Sequence, residues 1–391
     1  RTRDEIQENG INVVAQHHVS SVLPERRQAV AVDVGGHSRS FSYDKLVIAT
    51  GGKSMVPDIP GLDLPGVFFL RWMNDGFAFQ EYHLAHRPTS IVIIGGGYIG
   101  LEMADAMVRR GLSVSVVEYL PSLLTTFDQA FGRIVHAELE KQGVRVFTGF
   151  RVERIESRGA ILSVCSAASA VEADMVLVAI GSQPESGLAP SAGIATGVRG
   201  AICVNRRMET SLPNVFAAGD CAETYHRLLN KNTYLPLGTT AHKQGRIAGE
   251  NAVGGKREYT GTLGTQSVKI FNLVAARTGL KDDEALKEGF FPLSVDTDAW
   301  DHKSYYPHAK KLKIRITGDK LTGRLLGMQI IGAYGTEISK RIDTVAAAIH
   351  SGMTVEALND LDLSYTPPLS SPWDPVQMAA QSWHQAIRRV T

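Results

Sequence analysis

The stretch IVIIGGGYIG, residues 91–100, constrains the fold more than any other segment of the chain. A short apolar run leads into glycines at 95, 97 and 100, and LEMADAMVRRG follows with apolar residues at helical spacing. A second apolar run, SVSVVE, ends in Glu118. Strand, Gly-rich turn, helix and strand in this order predict the βαβ unit of a dinucleotide-binding domain.

Each glycine of this turn has a distinct predicted task. Gly95 permits the tight turn, Gly97 lets a pyrophosphate approach the backbone, and Gly100 lets the helix pack closely on the strand. The phosphates would face the unpaired N–H groups of the helix start. A Gly-rich turn without a ligand is the alternative.

Glu118 is the predicted determinant of nucleotide choice. A carboxylate at this distance from the turn can accept hydrogen bonds from both ribose hydroxyls and would repel a 2′-phosphate. The following YLPSLL offers no cation that could bind such a phosphate. The sequence therefore predicts NADH in preference to NADPH, with an ordinary exposed carboxylate as the alternative.

The ninety residues before the Gly-rich turn resemble a later part of the same chain. ENGINVVAQHHVSSV (8–22) aligns with KQGVRVFTGFRVERI (141–155), and the strands ending at Gly51 and Gly181 align in turn. Each copy predicts a strand after a helix end, a short meander and a buried strand. A turn equivalent to Gly95 would lie before residue 1, so an opening βαβ unit is interpreted as missing. The alternative is two unrelated meanders with a common pattern.

Further candidate ligand residues lie between positions 210 and 257. TSLPNVFAAGDCAE is an apolar strand ending in Gly219, which permits close approach of a ligand, and Asp220, which can accept a hydrogen bond. PLGTTAHKQGRIAGENAVGG then predicts a helix with Thr239 and Thr240 as possible caps, whose start suits a partial negative charge. Taken alone, each feature is more typical of an ordinary strand-turn or helix start.

Composition excludes several other classes of protein. The 41 Lys and Arg residues balance 40 Asp and Glu residues, so no electrostatic argument favours nucleic acid or an anionic membrane. No apolar run approaches the roughly 18 residues that cross a bilayer. The first residues, RTRDEIQENG, have no apolar core and are not expected to be a signal peptide, and because residue 1 is not Met the natural chain need not begin there.

Cysteine and histidine usage predicts no disulfide framework and no metal site. Cys165, Cys203 and Cys221 are too few and too scattered for either, and they favour a reducing cytosol. His17-His18 and the pair His83-x-x-His86 lack further ligands at zinc-like spacing, so both are expected in strands or loops.

Three ordered motifs, KLVIATG, IVIIGGGYIGLE and NVFAAGDCAE, are similar to those of the FAD- and NAD-dependent pyridine nucleotide-disulfide oxidoreductases. The resemblance covers essentially the whole chain and implies FAD and NAD(P)H as cofactors. It implies Gly181 as a cofactor residue of the NAD half, Tyr98 and Glu102 beside the flavin and nicotinamide rings, and Cys221 as a small core residue. The FAD contacts that it implies are Thr50, Gly51, Gly219, Asp220 and the helix start near Thr239 and Thr240.

The resemblance also implies the fold class and the domain order. We expect an α/β protein with two dinucleotide-binding, Rossmann-like domains, the first incomplete and discontinuous, and a C-terminal α+β dimerisation domain. From about residue 258 the pattern changes to antiparallel strands, with a hairpin at 317–323, and helices. The predicted boundaries are 1–87 with 206–257 for FAD, 88–205 for NAD and 258–391 for dimerisation.

The tail LSYTPPLSSPWDPVQMAAQ resembles the coenzyme A-disulfide reductase and NADH oxidase branch of the family. The resemblance implies that Tyr365 reaches across a homodimer toward the partner's active-site cysteine. It implies Tyr305, preferred over Tyr306, as a second such tyrosine and His242 as a substrate contact. Trp373 departs from the branch, because coenzyme A-disulfide reductases can carry a lysine there for coenzyme A phosphates. Two tyrosines that merely pack in a loop are the alternative.

The predicted function is a cytoplasmic flavoprotein oxidoreductase that passes hydride from NADH to FAD and on to a disulfide-type acceptor. The reactive cysteine is expected in the segment interpreted as missing, so the chain alone is expected to be inactive and to hold FAD poorly. The alternatives are an NADH oxidase or peroxidase, a cysteine-independent reductase of the ferredoxin or rubredoxin type, and a non-catalytic nucleotide-binding fragment or sensor.

Overall fold

The computed structural model describes residues 2–389 of the chain. Its helices are α1 Arg3–Glu8, α2 Met73–His86, α3 Tyr98–Arg109, α4 Gln129–Lys141, α5 Leu188–Ser191, α6 Gly238–Ala252, α7 Asp282–Lys287, α8 Ile338–His350, α9 Val355–Asn359 and α10 Pro375–Ile387. Its strands are β1 His17–Leu23, β2 Gln28–Asp33, β3 Ser38–Ser42, β4 Leu46–Ile48, β5 Gly52–Ser54, β6 Val67–Phe69, β7 Ser90–Ile94, β8 Ser113–Glu118, β9 Arg145–Thr148, β10 Arg154–Arg158, β11 Ile161–Cys165, β12 Ala170–Ala173, β13 Met175–Val178, β14 Ser182–Pro184, β15 Val215–Ala217, β16 Thr224–His226, β17 Lys231–Thr233, β18 Gln266–Ile270, β19 Leu273–Gly279, β20 Pro292–Trp300, β21 Lys311–Asp319 and β22 Leu325–Ala333.

The described residues divide into two compact units. Unit 1 comprises the chain up to residue 53 together with 183–226 and 230–261, and unit 2 comprises 54–182, 227–229 and the chain from 262 onward. The predicted boundaries of three domains stay a prediction.

Unit 1 is built on a parallel strand pair and an antiparallel meander. β4 and β15 run side by side, with Leu46 opposite Val215 and Ile48 opposite Ala217, and α6 packs against both. β1, β2 and β3 form a three-stranded antiparallel sheet. The core between these elements is apolar and includes the fully buried Cys221, which confirms its interpretation as a core residue.

Unit 2 contains a five-stranded parallel sheet in the order β6-β13-β7-β8-β9. Ile91 and Ile93 of β7 are fully buried, as expected for a parallel strand covered on both faces. The amphipathic helices α3 and α4 bury Leu101, Val135 and Leu139 against this sheet. The carboxyl ends of β7, β8 and β13 therefore meet at one edge.

The predicted internal repeat is confirmed in its strands. Each copy forms a three-stranded antiparallel meander followed by a parallel strand, β1-β2-β3 with β4 and β10-β11-β12 with β13. Val22 and Ile155, which the alignment pairs, lie on β1 and β10 and are both 3 % exposed. The two copies therefore bury matching positions.

One element of the repeat was predicted wrongly. The second copy begins with β9, which pairs with β8, whereas residues 11–15 of the first copy form no strand. Extended backbone becomes a strand only when a neighbour accepts and donates its hydrogen bonds. Residues 11–15 belong to none of the sheets formed by the described residues.

The remainder of unit 2 is an antiparallel sheet in the order β18-β19-β22-β21-β20, with α8 and α10 packed against it. Trp383 of α10 is 2 % exposed and donates its indole N–H to Leu293 O at 2.8 Å. The predicted hairpin is present, but its turn begins later than predicted. Thr317 lies inside β21, and the turn falls between Asp319 and Leu325.

Candidate functional site

The Gly-rich turn lies at the carboxyl edge of the parallel sheet, between β7 and α3. Gly95 has a φ of +114°, and a Cβ there would lie 2.5 Å from Ala179 O. A Cβ at Gly100 would lie 2.0 Å from Gly95 O, so only glycine lets α3 pack this closely. A Cβ at Gly97, the residue before α3, would meet nothing within 4 Å. The space above the helix start is therefore open, as a pyrophosphate requires.

Glu118 lies at the end of β8, directly beside this turn. Gly96 N–H donates to Glu118 Oε2 at 2.7 Å, and Leu120 N–H donates to Oε1 at 2.8 Å. Each carboxylate oxygen keeps a further lone pair for another donor. Sequence reasoning missed both bonds, because the spacing that identified Glu118 says nothing about the path of the loop after it.

Gly181 closes the neighbouring turn after β13. It has a φ of +116° and accepts a hydrogen bond from Met55 N–H at 2.9 Å. Val178 of β13 pairs with Ile94 of β7, so Gly181 lies at the same sheet edge as Gly95. The structure thus brings the five residues predicted for NAD to one edge.

Tyr98 and Glu102 lie one turn apart at the start of α3, on the same side of the helix. Burial, offset in part by the Thr126 side chain, raises the pKa of Tyr98 to about 12. Its phenol therefore stays protonated at neutral pH. Glu102 is exposed on the helix surface, and partial enclosure of its carboxyl raises its pKa from the ordinary value.

The candidate FAD residues of unit 1 follow the ends of two adjacent parallel strands. Thr50 and Gly51 follow β4, and Gly219 and Asp220 follow β15. Gly51 and Gly219 have φ values of +72° and +84°, a conformation that favours glycine. Gly219 N–H donates to Gln244 Oε1 of α6 at 2.9 Å, which fixes this turn relative to the helix.

The start of α6 differs from the prediction in one respect. Thr239 and Thr240 are not caps, because the helix already includes them and the residue before its first turn is Leu237, which makes no capping hydrogen bond. The wrong prediction arose because a Thr-Thr pair before an apolar run is typical of a cap. A helix of 15 residues without a side-chain cap presents backbone N–H groups, which fits a partly negative edge of a ligand. His242 is exposed on the same helix.

The candidate tyrosines Tyr305 and Tyr365 lie on two loops, residues 301–310 and 364–374, termed here the tyrosine loops. Tyr305 is 72 % exposed and Tyr365 is 43 % exposed. Lys303 N–H donates to Pro367 O at 3.2 Å, which joins the two loops. The Tyr305 and Tyr306 rings are 5.5 Å apart. The structure thus brings the two segments together on the part of unit 2 formed by the antiparallel sheet β18-β19-β22-β21-β20 and its helices, termed here the sheet domain.

Arg341 of α8 fixes the bases of both tyrosine loops. It donates to Asp301 O at 2.7 Å and to Asp374 Oδ2 at 3.2 Å. It is only 7 % exposed, so these bonds are shielded from water. Sequence reasoning missed Arg341, because a single arginine in a helix carries no distinguishing pattern.

The remaining cysteines and histidines form no further site in the part of the chain that the structure describes. Cys165 is buried in β11, and no group of three metal-ligating side chains occurs among residues 2–389. His83 and His86 lie on α2 rather than in a strand or loop, so that expectation was wrong. None of the described helices combines the length and hydrophobicity needed to span a membrane.

Comparison with known proteins decides the family. A profile of the pyridine nucleotide-disulphide oxidoreductases matches residues 2–245, and that of their dimerisation domain matches residues 265–375. This chain belongs to the pyridine nucleotide-disulphide oxidoreductase family. Its members use FAD and NAD(P)H, and the chain is an FAD-dependent NAD(P)H oxidoreductase. The two Rossmann-like domains and the C-terminal dimerisation domain are thereby confirmed.

Individual relatives are named for one of two activities, reduction of sulfur compounds or oxidation of NADH. The chain is 37% identical over 377 residues to the NAD(P)H sulfur oxidoreductase (CoA-dependent) of Pyrococcus furiosus, covering 96% of this chain and 84% of that protein. It is 34% identical to an NADH oxidase of Methanocaldococcus jannaschii, covering 96% and 83%. The solved NAD-dependent persulfide reductase from A. fulgidus superimposes with a TM-score of 0.95 at 32% identity, covering all of this chain and 72% of that one. The predicted branch is thereby confirmed.

Proposed function

We propose that this oxidoreductase uses NADH to reduce a disulfide- or persulfide-type acceptor, and that it acts as a homodimer. The observation that carries the proposal is the pair of tyrosine loops, joined by the bond from Lys303 to Pro367 at 3.2 Å. Their exposed phenols face outward from the sheet domain, where a second subunit can be met. The names of the sulfur oxidoreductase and persulfide reductase relatives support this acceptor class.

The proposed residues for the nicotinamide nucleotide are Gly95, Gly97, Gly100, Glu118 and Gly181. The two backbone bonds to Glu118 hold its carboxylate in one orientation before a ligand arrives. A fixed negative charge at this position favours ribose hydroxyls and repels a 2′-phosphate. We therefore propose NADH over NADPH. The buried Tyr98 phenol stays protonated and is proposed, with Glu102, to position the nicotinamide and flavin rings.

The proposed residues for FAD are grouped in unit 1. The turns after β4 and β15 supply backbone groups and the Asp220 carboxylate, and the start of α6 supplies N–H groups for the pyrimidine edge. The residues proposed to contact FAD are Thr50, Gly51, Gly219, Asp220, Thr239 and Thr240. When bound, FAD supplies the chemistry of the reaction, because it accepts a hydride and releases two electrons to a disulfide.

The protein's own contribution on the acceptor side comes from phenols and an imidazole. Tyr305 and Tyr365 are proposed to donate hydrogen bonds to a developing thiolate on the acceptor, and His242 to contact the same acceptor. A phenol within reach of a sulfur anion stabilises it as product forms. We propose that the reactive cysteine implied by the family resemblance is none of the three described cysteines, two of which are buried. Its position stays a prediction.

Reduction of dioxygen is the second candidate function. Trp373, half exposed on the second tyrosine loop, offers no cation for the phosphates of coenzyme A. The NADH oxidase relative supports this candidate. A phenol that stabilises a thiolate would equally donate to a peroxide, so the tyrosines suit both reactions. A cytosolic location, favoured by three free thiols, stays part of the proposal.

Acceptor profiling of the natural protein, purified from its host with FAD bound, tests the proposal. NADH consumption would be followed anaerobically with coenzyme A disulfide, a coenzyme A persulfide and polysulfide, and then with dioxygen alone. We expect turnover with a sulfur acceptor and release of thiol or sulfide. Turnover with dioxygen alone would favour the second candidate, and no turnover with any acceptor would contradict both.

Light scattering at micromolar concentration tests the homodimer separately. We expect twice the mass of one chain, because the exposed tyrosine loops need a second surface. A monomer that still reduces a sulfur acceptor would contradict the proposed role of the tyrosines across the dimer.

A further inference from the structure

The loop after Glu118, residues 119–128 and termed here the ribose loop, folds back onto the Gly-rich turn. Leu124 N–H donates to Gly96 O at 2.9 Å. Leu123 packs so closely that a Cβ on Gly96 would lie 2.4 Å from its Cδ2. Leu124 has a φ of +51°, which a residue with a branched side chain adopts only when its surroundings hold it there.

The surroundings that hold the ribose loop belong to the antiparallel sheet domain. Arg277 donates to Thr126 O, and Lys281 Nζ donates to Thr125 O at 3.0 Å. At the end of the loop, Asp128 N–H donates to Gln329 Oε1 at 2.7 Å. The Asp128 carboxylate also forms an ion pair with Arg315. The loop is thus bonded to the Gly-rich turn on one side and to the sheet domain on the other.

The two arginines are themselves rigidly placed. Arg277 forms two bonds to the Glu284 carboxylate, at 2.6 and 3.2 Å, and its side chain is 8 % exposed. Arg315 forms two bonds of 2.8 Å to Asp296. Burial works to raise the pKa of Glu284, but hydrogen bonds from Arg277 hold it below the ordinary value. Both guanidinium groups are therefore held by planar two-bond pairs that leave little freedom.

A second link joins the nucleotide helix to the same sheet. Asp105 of α3 is 7 % exposed, and its Oδ2 accepts from Lys269 Nζ at 3.0 Å and from Phe271 N–H at 3.1 Å. Burial works to raise its pKa, but hydrogen bonds from Arg109 and Lys269 hold it below the ordinary value. The helix α3 and the ribose loop are thus both hydrogen-bonded to the sheet domain.

We propose that Arg277 and Arg315 are positioning residues for the nicotinamide nucleotide. They hold the ribose loop in the conformation in which Gly96 and Glu118 face the ribose, although no nucleotide needs to touch either arginine. This inference rests on the ribose role proposed for Glu118. Loss of either arginine leaves a loop oxygen without its charged partner, and the left-handed Leu124 can then relax away from Gly96.

Equilibrium binding of ADP-ribose to the FAD-loaded protein tests the inference. This ligand carries the adenosine half of NADH and cannot exchange a hydride with FAD. We expect Arg277→Met and Arg315→Met to raise its Kd about two- to thirtyfold, the range typical of residues that act through others. Arg315→Lys should recover part of the affinity, because a lysine can still pair with Asp128. Hydrogen exchange of the amides of residues 119–128 should accelerate in both Met variants.

Arg341→Met is the matched control. Arg341 is as buried as Arg277 and also bonds a carboxylate and backbone carbonyls, at Asp374, Asp301 and Thr336, but none of them in the ribose loop. We expect a comparable fall in Tm with an unchanged Kd for ADP-ribose. An equal rise in Kd for the control would overturn the inference, because general loosening would then explain every result.

Two further outcomes separate this inference from the proposed function. If Glu118→Ala leaves the Kd of ADP-ribose unchanged, the ribose role of Glu118 fails and the inference fails with it. If Glu118→Ala raises the Kd but both arginine variants leave it unchanged, only the positioning inference fails. Should Arg277→Met not fold, Arg315→Met provides the same readout, since its partner Asp128 belongs to the same loop.

Discussion

The nucleotide turn and the tyrosine loops of unit 2 carry their chemical groups in opposite ways. The turn lies at the end of buried strands, and Glu118 is held there by two backbone hydrogen bonds. A Cβ on Gly95 or Gly100 would lie 2.5 or 2.0 Å from a backbone oxygen, so both positions require glycine. The tyrosine loops are exposed, and their phenols, on Tyr305 and Tyr365, point away from the core. Only the loop bases are fixed, by Arg341 and the bond from Lys303 to Pro367.

The difference indicates what each region needs in order to work. The described groups that contact the nucleotide turn all belong to the same chain. They are close to the turn in sequence or pack against it. We propose that the tyrosine loops form a site only when the surface of a second subunit covers their phenols. Each region nevertheless depends on a buried arginine outside its own segment, Arg277 for the first and Arg341 for the second.

Removal of the Tyr365 hydroxyl should have the largest effect. It should impair the tyrosine loops and leave the nucleotide turn unaffected. We expect Tyr365→Phe to lower kcat with a sulfur acceptor about a hundredfold, the usual contribution of a positioned proton donor. Reduction of bound FAD by NADH, followed by stopped-flow absorbance, should not change. Tyr306→Phe serves as the control on the neighbouring loop, and a loss of equal size there would show that loop structure rather than one hydroxyl matters.

Loss of the Glu118 carboxylate should have the next largest effect, on the nucleotide side alone. We expect Glu118→Ala to lower kcat/KM with NADH about ten- to a hundredfold, the effect of losing a hydrogen bond to a charged group. The kcat/KM with NADPH should change far less. Steady-state kinetics with both nucleotides measure the ratio. Higher kcat/KM with NADPH than with NADH in the unaltered protein would contradict the predicted preference.

A methyl group on Gly100 tests how tightly the nucleotide turn is packed. We expect Gly100→Ala to lower the free energy of unfolding by about 1–3 kcal/mol, because the new Cβ would lie 2.0 Å from Gly95 O. Urea unfolding measures the loss, and binding of ADP-ribose should weaken with it. Gly245→Ala in α6, where a Cβ meets nothing within 4 Å, should instead be neutral or stabilising. Equal losses at both positions would contradict the packing argument.

The smallest expected effect concerns the Tyr98 phenol at high pH. Its folded pKa of about 12 lies above the ordinary value of 10.0, so folding favours the protonated form. The stabilisation is complete below pH 10 and is lost as pH rises from 10 toward 12, by about 1 kcal/mol at pH 11 and at most about 3 kcal/mol in all. Urea unfolding between pH 8 and 11 should show a steeper decline for the unaltered protein than for Tyr98→Phe. Parallel curves would contradict the buried phenol.

Local patterns were sufficient where neighbours in sequence are also neighbours in space. The βαβ unit around Gly95 was predicted with its glycine spacing, because a strand, a turn and a helix are contiguous and their periodicities differ. The repeat was predicted for the same reason, and Val22 and Ile155 are both buried. The threonines of α6 show where local patterns fail. Thr239 and Thr240 are residue types that often cap a helix, but α6 begins before them, at Gly238, so both lie inside the helix.

Long-range polar contacts could not be predicted from the chain. The bond from Arg277 to Thr126 joins residues 151 positions apart, and that from Asp128 to Gln329 spans 201 positions. Neither pair has a periodicity or motif that distinguishes it from an ordinary surface residue. The strand that the repeat predicted within residues 11–15 is absent for a related reason, because strand formation depends on a neighbour that the segment itself does not specify.

By itself, the order of residues determined the family, the two nucleotide-binding motifs and the identity of Glu118 as the ribose candidate. These depend on spacing along a continuous chain, which backbone geometry converts directly into a strand, a turn and a helix. Only the tertiary structure decided which groups hold Glu118 in place, that the tyrosine loops meet, and that buried arginines fix both regions. Those contacts arise from the packing of distant elements, and a hydrogen bond acquires its strength only where that packing excludes water.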